Sequence, residues 1–143
     1  MNGALNRRSG GGGAGKAKRN KNRDIYVCLA LNRLARDLDI DVNSHGWEDG
    51  VDMLLLRQRG VTKLDISHEI RTNHIQTEKL LQLLAERGLA TTQACNKAYS
   101  VKITREGLMF VHKFNRFYAT EYGDLINEHY RYVGPPAWFR GAR

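Results

Sequence analysis

The spacing of apolar residues predicts three helices before residue 90. Apolar side chains recur at helical spacing over Asp24–Leu38 and again over about Trp47–Arg59, where Gly60 follows. A leucine stripe runs from His74 to Arg87 and stops at Gly88, a residue suited to the left-handed position that closes many helices. These segments predict a mainly helical domain.

A further, short helix is predicted from Thr62 to Ile70. Its start, Thr62–Asp65, is similar to a capping box in which Asp65 takes the place of Glu. The tight break Arg71–Asn73 then separates this short helix from the leucine-rich helix. Two helices joined by so short a turn are typical of a helix-turn-helix.

The period changes to that of a strand after Gly88. Over Ala98–Ile103 apolar and polar residues alternate, as in a half-buried strand, and Leu89–Gln93 supplies a hairpin partner. The polar turn Cys95–Lys97 joins them, and Asn96 tolerates a left-handed conformation. Helix, short helix, helix and hairpin follow one another as in a winged helix-turn-helix, so we predict a mainly α fold with a small β-hairpin wing.

A long C-terminal helix is predicted after the wing. Thr104 can cap a helix that runs to about Tyr132, or ~40 Å, before Gly134–Pro136 ends it. Gly123 weakens its centre and favours a kink. Its apolar and aromatic stripe predicts a paired helix in a homodimer, although the first helix of the same chain is an alternative cover. The predicted dimerisation residues are Leu108, Val111, Phe114, Tyr118, Tyr122, Leu125 and Tyr132.

These elements divide the chain, which has 143 residues and room for one domain, into four segments. Residues 1–23 are rich in glycine and basic residues and predict a disordered arm. Residues 24–104 form the winged helix-turn-helix with an extra N-terminal helix, and residues 105–133 form the dimerisation helix. The aromatic and proline-rich tail, 134–143, is expected to dock on the chain itself, with a peptide for a protein partner as the alternative.

Charge is distributed unevenly along the chain. Residues 1–23 carry seven basic and no acidic side chains. Residues 24–56 have a net charge of −5, whereas residues 57–116, which include the hairpin, have a net charge of +6. Positive charge on the arm and around the wing predicts a polyanionic partner, most commonly nucleic acid.

Two motifs for other functions are incomplete in this sequence. The stretch Gly10–Lys16 is similar to a phosphate-binding loop, but Ala17 stands where Ser or Thr would bind Mg²⁺. His68 and Glu69 begin a metalloprotease-like pattern, yet His74 is too far along to complete it. We therefore expect no enzyme activity, no metal and no cofactor.

The remaining composition favours a cytoplasmic protein. Cys28 and Cys95 lack metal-ligand spacing and lie far apart, as expected of unpaired thiols in a reducing compartment. No apolar run approaches the ~20 residues of a membrane span, and the basic N-terminus lacks the apolar stretch of a secretory signal. We expect a cytoplasmic, nucleoid-associated protein that does not contact membranes.

Residues 47–132 resemble the archaeal winged-helix DNA-binding proteins of the small, ten-kilodalton chromatin-protein type. The matching residues are Leu81, Leu84 and Gly88-Leu89, followed by Tyr99–Gly107, a strand with Thr-x-x-Gly at the start of a helix. Bacterial winged-helix regulators share the leucine and glycine pattern. The resemblance implies DNA binding and dimerisation through an antiparallel coiled coil of the last helices. The chain departs from this group in its arm, its acidic first helix and loop, and its aromatic tail.

The predicted DNA contacts lie at the helix-turn-helix, the wing and the arm. In this motif the start of the second helix enters the major groove, where Asn and Gln can bind adenine and Arg and Lys bind guanine or phosphate. The alternatives are a solvated helix face, a merely polar wing turn and a solubilising arm. The candidate residues are Arg71, Thr72, Asn73, Gln76 and Lys79 at the second helix, Asn96 and Lys97 at the wing tip, Lys63 and Lys102 as backbone contacts, and Arg19, Lys21 and Arg23 in the arm.

The sequence thus predicts a dimeric winged-helix protein that binds double-stranded DNA, as a transcription regulator or chromatin-associated protein. The competing class is a winged-helix module that binds another protein and uses the basic arm as a tether. RNA binding through the arm is a third hypothesis, without a stacking motif to support it.

Overall fold

The chain folds into helices around a small antiparallel sheet. A computed structural model describes the backbone of residues 11–95 and 98–142 and the side chains of residues 24–93 and 100–139. The described residues form seven helices and three strands. They are α1 (Gly11–Arg36), α2 (Val51–Arg57), β1 (Val61–Thr62), α3 (Lys63–Ile70), α4 (His74–Glu86), β2 (Ala90–Cys95), β3 (Ala98–Ile103), α5 (Arg105–Glu121), α6 (Gly123–His129) and α7 (Ala137–Ala142).

The elements from α2 to β3 have the order of a winged helix-turn-helix. The sheet order is β1-β3-β2, with both pairs antiparallel, so the hairpin of β2 and β3 extends as the wing. This confirms the predicted fold class. The strand β1 was not predicted, because its two residues are too few to show alternation; Val61 pairs with Val101, and Thr62 with Ser100.

Helix α1 lies at the centre of the core. Between Ile25 and Ala35 nearly every side chain is buried, because α5 packs on one side of α1 while α3, α4 and β3 pack on others. The prediction of a single apolar face therefore underestimates how much of α1 is buried. The helix also begins at Gly11 rather than Asp24, so residues 11–23, predicted as part of a disordered arm, are helical. Alanine, lysine and arginine, which have high helix propensity, are frequent in the added segment.

The prediction of one long C-terminal helix is wrong. Helix α5 ends at Glu121, since Tyr122 leaves the helical region with φ −118° and ψ 20°, and α6 starts at Gly123. Gly123 is buried, and a Cβ built on it would lie 3.9 Å from the Phe139 ring. The break lets Ile126, Tyr130 and Phe139 join the core instead of extending away from it.

Helix α2 is also shorter than predicted. The segment from Trp47 to Gly50 forms turns, with Trp47 buried and Gly50 left-handed at φ 73°, and the helix starts at Val51. After the helix, Gln58 accepts a hydrogen bond from the Ile103 N–H at 3.1 Å and donates to the Ile103 carbonyl at 2.8 Å. The side-chain amide of Gln58 thus satisfies both backbone groups at the end of β3.

The junction between the wing and α5 is close-packed. The Thr104 hydroxyl accepts a hydrogen bond from the Gly107 N–H at 3.1 Å and donates one to the Gly88 carbonyl at 2.6 Å. A Cβ on Gly107 would lie 2.2 Å from the Leu89 carbonyl oxygen. The Thr-x-x-Gly pattern therefore has a physical reason: threonine caps α5, and glycine allows α5 to touch the start of β2.

Candidate DNA interface

The turn between α3 and α4 is held by its own hydrogen bonds. Arg71 adopts a left-handed conformation with φ 58° and ends α3. The Thr77 hydroxyl donates to the Asn73 carbonyl at 2.7 Å, so in the 2.7 Å contact between Thr72 and Thr77 the Thr72 hydroxyl is the donor. Because a phosphate only accepts hydrogen bonds, Thr72 would have to break this bond to contact DNA as predicted.

A capping box fixes the start of α4. The Asn73 side-chain oxygen accepts from the Gln76 N–H at 2.7 Å, and the Gln76 side-chain oxygen accepts from the Asn73 N–H at 3.0 Å. Both residues are exposed, as a base contact requires. However, a bidentate contact with adenine uses the oxygen and the nitrogen of the amide, and here each oxygen already serves the helix.

The outward face of α4 ends at the exposed, acidic Glu86 and is formed before it by Ile75, Lys79 and Gln82. These residues follow one another at spacings of four and three, and all three are exposed. They lie opposite the buried stripe, which consists of Thr77, Leu80, Leu81 and Leu84. Lys79 was predicted as a contact, whereas Ile75 and Gln82 were not. The sequence could have indicated Ile75 and Gln82, because their spacing places both opposite the leucine stripe.

The cations near α4 differ in how far the chain itself balances their charge. Lys63 forms an ion pair with Glu78, and its Nζ lies 3.3 Å from His74 Nε2, so its charge is matched internally. Lys79 and Arg71 are exposed and make no ion pair with another described residue. Lys102 is half-exposed on β3, in register with Thr91 of β2. Of the predicted cations, Lys79, Arg71 and Lys102 therefore remain the better candidates for phosphate contacts.

The other predicted contacts lie outside the described part of the chain. Asn96 and Lys97, at the wing tip, fall between β2 and β3 in the undescribed turn. The side chains of Arg19, Lys21 and Arg23 are also outside the described set. Their DNA contacts stay predictions.

The predicted dimerisation residues fall into three groups. Leu108 and Val111 are fully buried within the single chain, where α1 packs on α5. This is the predicted alternative, in which the first helix of the same chain covers the apolar stripe. Leu125 is half-buried on α6, and Tyr132 is 77% exposed beyond the end of α6. An aromatic surface remains on α5, with neighbouring ring centroids 4.8–6.3 Å apart; its members are Phe110, Phe114, Phe117, Tyr118 and Tyr122.

The C-terminal tail docks on its own chain. Phe139 on α7 is buried, and α7 packs against α5. Tyr130, just before the tail, is buried as well, while Trp138 is half-buried. Burial raises the pKa of Tyr130, with the nearby Glu69 carboxylate adding to the shift. The tail therefore docks on its own chain, as expected, and its buried rings are not available to a protein partner.

Two other kinds of site find no support within the described ranges. No group of three His, Cys, Asp or Glu residues there has the geometry to hold a metal ion. None of the described helices is long and apolar enough to cross a membrane.

Comparisons with known proteins add little to this geometry. No protein-family model matches the chain, and no curated protein is significantly similar to it. Among solved structures, a MepR mutant from a multidrug-resistant S. aureus clinical isolate is 17% identical, over 68% of this chain and 71% of that chain, with a TM-score of 0.39. The PcaV transcriptional regulator from Streptomyces coelicolor, in complex with its natural ligand, is 15% identical over 90% of this chain and 99% of that chain, with a TM-score of 0.37. Such distant matches carry no argument, and the winged-helix assignment rests on the chain's own elements.

Proposed function

We propose that the protein binds double-stranded DNA through α4, as a dimeric transcription regulator or chromatin-associated protein. The observation that carries this proposal is the exposed outward face of α4 in a chain whose element order is that of a winged helix-turn-helix. The net charge of +6 on residues 57–116 favours a polyanionic partner for that face.

The mechanism is one of positioning rather than chemistry. Helix α4 has 13 residues, so it is about 20 Å long and fits along a major groove about 12 Å wide. Its N-terminal turn would face base edges, while Arg71, Lys102 and the wing would follow the phosphates. The bonds that fix Asn73, Gln76 and Thr77 hold α4 in place before DNA arrives, which lowers the entropic cost of binding.

A second copy of the chain is the proposed partner of the aromatic surface on α5. Phe117 is 50% exposed and packs edge-on against Tyr118 and Tyr122, so large apolar rings face solvent in a single chain. Burial raises the pKa of Tyr118 to about 12, as expected of a phenol already partly removed from water. Covering these rings in a symmetric pair would place two α4 helices on one duplex and raise affinity by linking two half-sites.

The alternative function is a protein-interaction module. It is favoured by the exposed apolar side chains of α2, where Leu56 is 81% exposed and Met53 is 51% exposed. In this case the basic arm would act as a tether, and α4 would contact a protein surface.

A titration separates the two functions. The full chain is added to labelled duplex DNA and to single-stranded DNA and RNA of the same sequence, at 50 and about 200 mM salt. DNA binding through α4 predicts a preference for the duplex and an affinity that falls steeply with salt. Equal binding to single strands would point to the arm alone, and no binding at low salt would favour the protein-interaction module.

A further inference from the structure

Ile75 is an exposed apolar residue in the first turn of α4. It is 64% exposed, and the residues on either side of it, His74 and Gln76, are polar and exposed as well. Single exposed apolar side chains are common on protein surfaces. It is the place of Ile75, in the first turn of the helix that would enter the major groove, that points to a contact there.

The backbone around Ile75 is already fixed. The capping box of Asn73 and Gln76 encloses this turn, so the direction of the Ile75 side chain is set before any partner binds. The side chain is β-branched and stiff at χ1, which lowers the entropy lost on contact. Residues in this turn of a recognition helix are the ones that reach base edges.

We propose that Ile75 packs against the 5-methyl group of a thymine in the major groove and thereby selects a T·A pair opposite the first turn of α4. This inference rests on the proposed DNA binding. Of the four bases, only thymine presents a methyl group in that groove, so it is the base edge that an isoleucine matches.

The charges around Ile75 fit a duplex better than an apolar protein surface. Lys79 follows one turn later and Arg71 precedes the helix, and both are exposed. Of the two acidic residues on α4, Glu78 is paired with Lys63, and Glu86 lies about 16 Å further along the helix. A phosphate backbone could therefore approach the start of α4 without meeting an uncompensated carboxylate there.

The test removes single methyl groups from the DNA. A preferred duplex is first selected from a random pool with the full chain, and each thymine in it is then replaced by deoxyuridine, which differs only in lacking the 5-methyl group. At one position the replacement should weaken binding of the native chain about fourfold, the effect expected for one buried methyl-sized group. Ile75→Ala should bind both duplexes equally, and Ile75→Val should keep part of the difference. Circular dichroism checks that each variant is folded.

The outcomes distinguish this inference from the proposed function. If the native chain prefers duplex DNA but no deoxyuridine replacement weakens binding, or if selection yields no preferred sequence, the thymine contact is refuted and DNA binding stands. If a methyl effect persists in Ile75→Ala, another residue makes the contact. If the native chain does not bind duplex DNA at all, the proposed function itself fails.

Discussion

Asn32 on α1 and Asn115 on α5 exchange two hydrogen bonds in the core. Asn32 Nδ2 donates to Asn115 Oδ1 at 2.8 Å, and Asn115 Nδ2 donates back to Asn32 Oδ1 at 2.9 Å. Both side chains are buried, and Cys28 Sγ lies 3.5 Å from the same Asn115 oxygen. Burial raises the pKa of Cys28, so the group beside the pair is a neutral thiol. This paired amide bridge fixes the rotation of α5 on α1, and with it the placement of the aromatic surface relative to the winged helix.

Removing one amide of this bridge should destabilise the fold. Asn115→Ala leaves the Asn32 side-chain oxygen without its donor in the core, while Asn32 Nδ2 keeps its bond to the Cys28 carbonyl at 2.8 Å. The free energy of unfolding should fall by about 1–3 kcal/mol. The measurement is urea denaturation followed by circular dichroism, with Asn127→Ala as the exposed control on α6. A double change of Asn32 and Asn115 to alanine should cost less than the sum of the two single changes to alanine. A loss equal to that sum would show that the pair is not coupled.

Gly107 should be intolerant of any side chain. The Cβ of Gly107→Ala would lie 2.2 Å from the Leu89 carbonyl oxygen, so α5 would have to move away from β2. We expect a loss of at least ~1–3 kcal/mol in stability, although alanine favours helices. Thermal unfolding tests this, with exposed Glu106→Ala as the neighbouring control. Unchanged stability of Gly107→Ala would contradict the close packing at this junction.

The local elements of this fold could be predicted because their signals lie close together in the sequence. The side chains of Thr62 and Thr104 each accept a hydrogen bond from a backbone N–H three residues on, and α3 and α5 start where these predicted caps place them. Asn73 caps α4 in the same way, although it was predicted only as a DNA contact. The break at Tyr122 could not be predicted with the same ease. The break brings Gly123 close to Phe139 of the C-terminal tail, a contact that periodicity does not reveal.

The DNA contacts of α4 stay predictions, but the structure shows which of the candidate side chains already bond within the helix. Asn73 and Gln76 were chosen because amides can bind adenine, but their side-chain oxygens form the capping box. Ile75 was not among the predicted contacts, although it lies opposite the buried stripe of α4. Residue type alone does not show which side-chain groups are already hydrogen-bonded within the helix. The position of a residue on the helix is therefore the better guide to whether it can contact DNA.

Deleting residues 1–22 should weaken DNA binding without changing sequence preference. The deletion removes six basic side chains, so affinity should fall on all sequences, and the plot of log K against log salt should become less steep. Fluorescence anisotropy at four salt concentrations measures both quantities. The deletion also removes residues 11–22 of α1. Because Met1 and Leu5 are the only large apolar residues of the segment, we expect the remainder to stay folded. An unchanged slope would show that the arm does not contact DNA.

A charge placed in the aromatic surface should separate the proposed dimer. Phe117→Glu would put a carboxylate among the rings of the paired surface, which should weaken association by several kcal/mol while leaving the single chain folded. The matched control is Met109→Glu, because Met109 is 52% exposed on the same helix, close to the 50% of Phe117, but lies outside the aromatic surface. Light scattering gives the mass of each variant. A native chain that is monomeric at high micromolar concentration would refute the dimer.

The central claim is that the outward face of α4 contacts DNA, and a pair of charge reversals tests it most directly. Lys79→Glu places a carboxylate on that face, whereas Arg116→Glu makes the same reversal of charge at an exposed arginine of α5, outside the helix-turn-helix, the wing and the aromatic surface. Affinity for duplex DNA is measured for both variants and for the native chain at 50 mM salt. We predict that Lys79→Glu weakens binding about tenfold or more and lowers the salt slope, while Arg116→Glu stays close to the native chain. Equal losses in the two variants would contradict the account, because they would show that DNA responds to total charge and not to α4.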